Sequence, residues 1–500
     1  LATWDGELYL EMHRGTFTTK SNLKKANRTL EFKLRETELR AALASLTGTS
    51  YPSEELTECY KKFLLNQFHD ILPGSHIHPV YEDAMNDYRS VSERLDAMLA
   101  LTAGNEYFNS LNFTRSSITF IEDENGAITR HGVKGFWSIP TLAGLSTGTV
   151  AALPSKENWL STEFCDKCDC LVVETPYYRA KLSSDGSFVS LYDKELDREW
   201  VKEGCGFNKL HLYADNPGVY DAWDILPNYK DVQVALNVDK PLALVSSDGS
   251  SAEFAVTFTT EKSTWKMILR FFADSHAIEV ENVVDWDEKH KLVKVNFGPD
   301  VLTRELVCDT SAGFVKRDLT KNTSWQQARF EVCHHKWCDM SESGSGIAII
   351  NEGKYGVGLE KDEISLSLLR ATIRPDITSD IGHHDFCYTI LPHSGDAVEA
   401  QVNKTAMEYN VPLCKSNVTV PAALRDTLNN CGLYLQAMKR SEDGQYLILR
   451  LSEQDGRRGK TAFPFEVQTM NLIEDIEGST KVVSYHPFEL ITVAVKPEDL

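Results

Sequence analysis

The sequence lacks any run of about 18 apolar residues, the length that a helix needs to cross a bilayer. It also lacks a basic excess, because 52 Lys and Arg oppose 73 Asp and Glu and give a formal net charge of −21. Proteins that bind nucleic-acid phosphates or anionic membranes need a basic face. The composition therefore excludes a membrane-spanning helix and predicts neither nucleic acid nor membrane as a partner.

The sequence motifs of several common enzyme classes are absent as well. There is no Gly-x-Gly-x-x-Gly, no Gly-x4-Gly-Lys-Ser/Thr, no Gly-x-Ser-x-Gly and no His-Glu-x-x-His. Nucleotide-binding and zinc-protease chemistry are therefore unsupported. What is present is an ordinary folded composition, with 42% apolar residues over 500 residues, a length typical of about three domains.

The N-terminal residues indicate where this sequence stands in its protein. The first residue is Leu1 rather than Met, and Leu1–Tyr9 has no charged leader before an apolar core. A signal peptide is therefore not expected there. Trp4–Leu10 already has the character of structured sequence, which predicts that the chain begins within a longer protein.

The cysteines and the glycosylation triplets point to different compartments. The 11 cysteines are odd in number and scattered, which favours a reducing compartment. Five Asn-x-Ser/Thr triplets favour the secretory route, although such triplets are common by chance. We expect a cytoplasmic protein, with the lysosome as the alternative. The triplets begin at Asn27, Asn112, Asn322, Asn403 and Asn417.

The first hundred residues show a helical period of apolar side chains, which predicts three helices. The first is expected over Ser21–Leu46, where apolar residues follow the i, i+3, i+4, i+7 spacing. The second is expected to have Ser53 as its N-cap and to end near Pro73-Gly74, and the third to span His78–Leu101. Three helices with short connections predict a bundle over residues 21–104.

Beyond Glu106 the period changes to two, which is typical of strands. Asp-Gly pairs between apolar alternations predict hairpins at Tyr178–Asp193, Ala243–Phe258 and Leu435–Leu451. The remainder is therefore expected to be antiparallel β-sandwich material. Its predicted divisions are a small β domain (105–165), a large β-sandwich domain (166–400) and a C-terminal β domain (401–500).

One polar cluster lies at the end of the second predicted helix, within Leu64–Ser75 (LLNQFHDILPGS). His69 at a helix end can ligate a metal ion, and the adjacent Asp70 can orient that ligand or bind a sugar hydroxyl. The ordinary alternative is a helix C-terminus with a favourable cation beside a solvated acid. The residue types alone leave both interpretations open.

Other groups of functional residue types carry weaker signals. An extended Gly6–Thr16 would place Glu7, Tyr9 and Glu11 on one side, but an ordinary strand–turn–helix junction explains it equally. The sequence Cys165-x2-Cys168-x-Cys170 resembles a metal clip without a second pair. The pairs His334-His335 and His383-His384 could line a polar cavity, although neighbouring side chains on a strand point to opposite faces.

Eight segments, in order over nearly the whole chain, carry a further signal. They are Gly6–Thr19 (GELYLEMHRGTFTT), Leu65–Gly74 (LNQFHDILPG), Phe108–Arg115 (FNSLNFTR), Ser187–Glu199 (SFVSLYDKELDRE), Asp215–Asp224 (DNPGVYDAWD), Asn322–Asp339 (NTSWQQARFEVCHHKWCD), Ser365–Arg374 (SLSLLRATIR) and Pro487–Thr492 (PFELIT). Together they resemble glycoside hydrolase family 38, the retaining α-mannosidases, and most closely its cytosolic type.

The resemblance implies a fold of class α+β with several domains. The family has an N-terminal seven-stranded α/β barrel, a three-helix bundle and then antiparallel β-sandwich domains. Residues 1–20 would then be the tail of the barrel. The family's nucleophilic Asp belongs to that barrel, so no catalytic residue is assigned in this chain, and the 500 residues alone are expected not to hydrolyse mannosides.

The resemblance also assigns roles to residues of the candidate site. His69 corresponds to one ligand of the family's zinc-like ion, and Asp70 to the acid that hydrogen-bonds the bound mannose. His13 falls where other branches of the family place an aromatic residue against the sugar ring. The loop that faces the active site in the family is matched by Tyr220, Asp221 and Trp223.

The function that the resemblance implies is the removal of terminal non-reducing α-D-mannose from oligosaccharides with retention, which needs two carboxyl groups about 5 Å apart. One divalent ion, Zn²⁺ or alternatively Co²⁺, is the implied cofactor, and the family's dimers and tetramers imply a homo-oligomer. The competing hypothesis is a non-catalytic carbohydrate-binding β-sandwich protein that uses Trp223, Trp325 and Trp337 for sugar stacking.

Overall fold

The computed structural model describes residues 3–4 and 7–500 of the chain. Three long helices come first, and antiparallel strands make up most of the rest. Short 3₁₀ segments lie at Glu11–Phe17, Tyr229–Asp231 and Pro497–Asp499. The helices are α1 (Ser21–Ser45), α2 (Ser53–Leu65), α3 (His78–Ala100), α4 (Ser324–Ala328), α5 (Val402–Asn410) and α6 (Ala422–Asn429). No helix in this part of the chain is long and apolar enough to cross a membrane.

The strands of the described residues fall into six sheets. The first ten strands are β1 (Glu106–Asn109), β2 (Thr119–Glu122), β3 (Ile128–Arg130), β4 (Val133–Ser138), β5 (Ser146–Gly148), β6 (Ser161–Cys165), β7 (Cys170–Glu174), β8 (Tyr178–Leu182), β9 (Phe188–Asp193) and β10 (Arg198–Glu199). The next ten are β11 (Phe207–Ala214), β12 (Gln233–Val234), β13 (Asn237–Ser247), β14 (Ser251–Thr259), β15 (Thr264–Phe272), β16 (Ile278–Trp286), β17 (Lys291–Phe297), β18 (Glu305–Thr310), β19 (Gly313–Asp318) and β20 (Glu331–Cys333). The last are β21 (Trp337–Glu342), β22 (Ser345–Asn351), β23 (Gly356–Leu359), β24 (Ile364–Ala371), β25 (Gly382–Ser394), β26 (Cys414–Ser416), β27 (Tyr434–Arg440), β28 (Leu447–Ser452), β29 (Gly459–Met470), β30 (Ile476–Tyr485) and β31 (Leu490–Val495).

Helix α1 joins two hydrophobic cores, which explains its length. Its first half packs with α2 and α3 through Leu23, Leu30 and Leu34. Its second half packs on the C-terminal sheet β27-β28-β31-β29-β30 through Leu39, Ala42 and Leu43. The long periodic stripe of the sequence therefore serves two partners in succession rather than one bundle alone.

The start of α1 is capped from far along the chain. The backbone N–H groups of Lys20 and Ser21 donate to the Asp380 carboxylate at 2.6 and 2.7 Å. A carboxylate satisfies the free N–H groups of a helix N-terminus and interacts favourably with its dipole. This cap fixes the 370–380 region against the beginning of the bundle.

Two expectations for α2 are wrong in detail. Ser53 is the first helical residue, and Pro52 occupies the N-cap position without a side-chain bond. The helix ends at Leu65 rather than near Pro73-Gly74, and turns follow. The Asn66 side chain bonds back to the Lys62 carbonyl at 2.9 Å, which provides an alternative to further helical hydrogen bonds.

Two large sheets form a β-sandwich with the largest core between them. The six-stranded sheet has the order β12-β11-β17-β24-β23-β20, and the nine-stranded sheet the order β13-β14-β15-β16-β25-β22-β21-β18-β19. Their inner faces contribute apolar side chains to one core, such as Phe207 and Val295 from one sheet and Phe254 and Tyr388 from the other. The three predicted hairpins are confirmed as β8–β9, β13–β14 and β27–β28.

One small sheet, β26-β1-β5, contains strands from two of the predicted domains. Strand β26 pairs with β1, with Phe108 opposite Cys414, so residues 414–416 complete a sheet of the 105–165 region. Residues 7–10 lie in no strand, and Glu11–Phe17 is 3₁₀-helical rather than extended. The tail-of-barrel interpretation of residues 1–20 and the domain limits stay predictions.

Candidate functional site

Three segments that the sequence singled out meet at one end of α1. The Gly15 N–H donates to the Trp223 carbonyl at 2.8 Å, which joins the 3₁₀ segment to the loop that follows β11. The Lys24 ammonium donates to the Leu72 and Pro73 carbonyls at 2.9 and 3.1 Å, which ties the turns after α2 to the same region. The residue numbers are distant, but the structure places the segments in contact.

His69 and Asp70 lie on the turns after α2. The His69 side chain is 78% exposed, and its Nε2 lies 3.7 Å from Asp70 Oδ2. Its ring also packs against Phe68, with ring centroids 4.1 Å apart. The Ser75 hydroxyl donates to Asp70 Oδ1 at 2.8 Å and leaves Oδ2 directed toward the imidazole. An exposed imidazole beside a half-buried carboxylate can bind a cation and a hydroxyl group.

The three other aromatic or imidazole candidates are His13, Tyr220 and Trp223. His13 is exposed within the 3₁₀ segment. Tyr220 is 62% exposed and meets the half-buried Trp223 edge-on, with ring centroids 5.9 Å apart. An amphipathic ring pair at the surface suits sugar stacking. The structure therefore leaves His13 and Tyr220 accessible to a ligand, and Trp223 partly so.

Asp221 has a different geometry from the sugar contact that the sequence suggested. Its carboxylate has no solvent exposure and accepts hydrogen bonds from the N–H groups of Ile373 and Arg374 at 2.7 and 3.0 Å. His290 Nε2 lies 3.2 Å from the same carboxylate. These partners enclose the Asp221 carboxylate and fix the loop through it, and a sugar contact of Asp221 stays a prediction.

Arg370 is the central positioning residue that sequence reasoning missed. Its guanidinium is fully buried and donates to the Asp215 carboxylate at 2.7 Å and to the Asp224 carbonyl at 2.8 Å. It also donates to the Thr19 hydroxyl at 3.2 Å. The signal in the sequence is a charged residue directly after Leu368 and Leu369 in β24. A charge that is buried among apolar side chains needs buried partners.

The close approach of Arg370 explains a glycine of the candidate site. A Cβ built on Gly15 would overlap the Arg370 guanidinium. Glycine therefore lets the 3₁₀ segment and the guanidinium come together at this point. The bond from Gly15 to Trp223 depends on the same approach.

The remaining candidate residues from the sequence have hydrogen-bonding or packing roles in the structure, or do not come together as metal ligands. His383 bonds exposed Asp285, whereas His384 is buried and bonds the Asp380 carbonyl, so the pair does point to opposite faces. Trp337 is 2% exposed and donates to the Asn403 side chain, which removes it from sugar stacking. In the described chain, the sulfurs of the Cys165–Cys170 turn do not form a set of three ligand atoms within 4.8 Å.

His334 is a buried, neutral histidine. Its Nδ1 lies 3.1 Å from the Tyr355 carbonyl, to which it donates, and its Nε2 accepts from the Asn351 amide at 2.9 Å. The orientation of that amide is fixed because its oxygen accepts the N–H groups of Gly353 and Lys354. Burial, helped by the charge of His335, lowers the pKa of His334 to about 3.

We expect acid to destabilise the fold through His334. Its pKa in the folded chain lies below its unfolded value near 6.5, so its contribution is complete above that pH and is lost as the pH falls toward 3. The expected loss is roughly 3–5 kcal/mol. Urea unfolding at a series of pH values measures it. The amide of His334→Gln can donate and accept hydrogen bonds but does not titrate, so this variant should lose less unfolding free energy between pH 6.5 and pH 3. The exposed variant His383→Gln should lose as much as the wild type.

Three family models match successive parts of the chain. They are the alpha mannosidase middle domain over residues 11–104, the glycosyl hydrolases family 38 C-terminal domain over 173–378, and the family 38 C-terminal beta sandwich domain over 432–493. Together they cover well over half of the chain. The chain belongs to glycoside hydrolase family 38.

Curated relatives of this family 38 chain match over most of its length. Alpha-mannosidase 2C1 of Homo sapiens is 31% identical over 91% of this chain and 46% of its own length. Alpha-mannosidase G of Dictyostelium discoideum is 27% identical over 98% of this chain and 52% of its own length. The chain thus spans about half the length of the curated relatives it matches.

A solved structure shares the fold of the family 38 chain. It is an alpha-mannosidase from Enterococcus faecalis, with a TM-score of 0.73, 12% identity, and coverage of 97% of this chain and 68% of that one. At this identity the likeness concerns the fold alone. It covers the helices, the β-sandwich and the C-terminal sheet together, because almost the whole chain aligns.

Proposed function

We propose that this chain is part of a retaining α-mannosidase, in which its exposed His69–Asp70 pair contributes to a metal-dependent sugar site. The observation that carries the proposal is an accessible imidazole next to an accessible carboxylate oxygen, on turns fixed by Lys24 and Ser75. The substrate is terminal α-D-mannose of oligosaccharides. Membership of the family and the α-mannosidase relatives support this substrate class.

The donor set of His69 and Asp70 fits part of the shell of one divalent cation, Zn²⁺ or Co²⁺. Among the described residues, His69 and Asp70 belong to no group of three ligand residues whose atoms lie within 4.8 Å of one another. A cation bound by His69 and Asp70 therefore needs further ligands. When bound, such an ion would polarise and align sugar hydroxyls. His69 would hold it through one ring nitrogen.

Asp70 and the aromatic pair would bind and orient the sugar. Asp70 Oδ2, the oxygen that Ser75 leaves free, can accept a hydrogen bond from a mannose hydroxyl. Tyr220 and Trp223 offer ring faces to its apolar C–H groups, and His13 lies on the neighbouring segment. Asp221 and Arg370 hold this loop in place through buried hydrogen bonds.

We further propose a reducing, cytoplasmic location for the protein. The structure leaves all eleven cysteines as free thiols, six of them buried. Three of the five glycosylation triplets have buried asparagines whose side chains are already hydrogen-bonded, namely Asn27, Asn112 and Asn403. Buried asparagines cannot accept a glycan in the folded state, so these triplets lose their weight for a secretory route.

The decisive experiment assays the protein purified from its natural source with an aryl α-mannoside. We expect turnover, loss of turnover after dialysis against a chelator, and recovery with Zn²⁺ or Co²⁺. Proton NMR of the first product should show the α-anomer, as retention requires. An inverted product, or activity indifferent to chelation, would contradict the proposal. Sugar binding without any turnover would favour the carbohydrate-binding alternative.

The 500 residues expressed alone give a complementary result. Since the sequence assigns them no nucleophile, we expect no turnover of the same aryl α-mannoside above the uncatalysed rate. Glycan binding by this chain, measured by calorimetry with mannose oligosaccharides, should be weak. Measurable hydrolysis by the isolated 500 residues would show that the catalytic carboxylates lie within them.

A further inference from the structure

A second group of metal-ligand residues lies between the small sheet β2-β4-β3 and the nine-stranded sheet. His131 and Gly132 form the turn between β3 and β4, and both have positive φ angles, 51° and 76°. The His131 N–H donates to the Glu281 carboxylate on β16 at 2.8 Å. The turn therefore places His131 against the nine-stranded sheet. The backbone of His131 has a positive φ angle, which a non-glycine residue seldom adopts.

Three ligand atoms converge around the His131 ring. Its Nε2 lies 3.2 Å from Cys387 Sγ and 3.4 Å from Glu352 Oε2, and all three residues place a ligand atom within 4.8 Å of the others. The ligands of a four-coordinate zinc ion, at about 2.0–2.3 Å from the metal, lie about 3.3–3.8 Å from one another. The observed spacings are close to those of a formed site.

The charges around this group favour a divalent cation. Arg130 pairs with Glu279 and Glu352, Arg270 pairs with three carboxylates, and Lys25 pairs with Asp385. Carboxylates outnumber fixed cations by two, which is costly in a largely buried cluster. The five carboxylates belong to Glu253, Glu279, Glu281, Glu352 and Asp385.

The second ring nitrogen of His131 has the surroundings of a metal-bound histidine. Nδ1 is buried and makes no hydrogen bond, yet it lies 3.4 Å from Glu281 and 3.3 Å from Asp385 carboxylate oxygens. A histidine that ligates through one nitrogen usually directs its other N–H to a carboxylate. A small ring rotation toward a metal would make that bond.

The same residues do not suit a thiol nucleophile. Cys387 has no solvent exposure, so an organic substrate, which is much larger than a metal ion, has no room at its sulfur. Burial also raises the pKa of the Cys387 thiol well above its ordinary value, which disfavours a free thiolate. Glu352, in contrast, is held by Arg130, which pairs with its Oε1, while its Oε2 lies 3.4 Å from His131 Nε2.

We propose that His131, Glu352 and Cys387 bind one divalent cation of the thiolate-binding class, Zn²⁺ or Co²⁺, at a site separate from His69. On binding, the Cys387 thiol loses its proton to solvent and coordinates as thiolate, while Glu352 and neutral His131 supply oxygen and nitrogen. The ion would clamp the β3–β4 turn to β25. Its role is structural and does not depend on the proposed mannosidase activity.

The test uses the 500-residue chain, stripped with a chelator and titrated with Co²⁺. We expect one equivalent to produce a near-ultraviolet thiolate-to-cobalt charge-transfer band, which nitrogen and oxygen ligands at His69 cannot produce. Cys387→Ala should abolish the band, and Glu352→Gln should weaken it. Buried Cys338→Ala in the same sheet should retain it, as should joint replacement of Cys165, Cys168 and Cys170 by Ser.

Several outcomes would overturn the assignment. They are a missing band in the wild-type chain, a band that survives Cys387→Ala, or a band lost with the Cys165–Cys170 replacements. If Cys387→Ala does not fold, X-ray absorption of the zinc-loaded wild-type chain decides instead. One sulfur with nitrogen and oxygen ligands supports the site, and a shell without sulfur refutes it.

Discussion

Arg370→Met should destabilise the chain by about 3–5 kcal/mol, the largest loss expected from a single substitution in the candidate site. The change removes a buried guanidinium and leaves the Asp215 carboxylate in the interior without its cation. It also frees the Asp224 carbonyl and the Thr19 hydroxyl from a donor. Urea unfolding followed by tryptophan fluorescence gives the change in unfolding free energy.

Two further variants separate the charge of Arg370 from its geometry. Arg370→Lys keeps the cation but loses the planar fork, so we expect an intermediate loss and faster hydrogen exchange in residues 215–224. Adding Asp215→Asn to Arg370→Met removes the stranded carboxylate and should recover part of the stability. Exposed Arg457→Met is the control, expected within about 0.5 kcal/mol of wild type. An Arg370→Met chain as stable as this control would refute the positioning role.

The local parts of this fold could be predicted from the sequence, because their signals lie within a few residues of each other. The helical stripe of residues 21–46 and the Asp-Gly hairpins depend on neighbouring side chains and turn chemistry alone. The end of α2 was misplaced because Pro73-Gly74 is a strong helix stop, whereas the earlier stop at Asn66 depends on a side-chain bond to Lys62.

The long-range parts could not be predicted, because periodicity carries no information about distant partners. Asp380 caps α1 across some 360 positions, and β26 joins β1 across some 300. In the candidate site, the resemblance assigned Asp221 the same substrate-binding role as Tyr220 and Trp223. Its burial arises from Ile373, Arg374 and His290, which the sequence does not place near it.

The second large effect concerns His69 in the protein purified with its natural activity. His69→Ala should remove one equivalent of bound metal and lower kcat/KM for an aryl α-mannoside by about 100-fold or more, because a direct ligand is lost. Its side chain is 78% exposed and its ring neighbour Phe68 is itself exposed, so the unfolding free energy should change by less than about 0.5 kcal/mol. Metal analysis, steady-state kinetics and urea unfolding measure the three quantities.

The same variant distinguishes the two proposed metal sites. Because His131, Glu352 and Cys387 remain intact, His69→Ala should keep the thiolate-to-cobalt band while losing turnover, and Cys387→Ala should show the reverse pattern. His486→Ala, at another well exposed histidine, should change neither. If His69→Ala retained both its metal equivalent and its rate, the ligand role of His69 would be wrong. The exposed imidazole would then be an ordinary solvated side chain on the turns that follow α2.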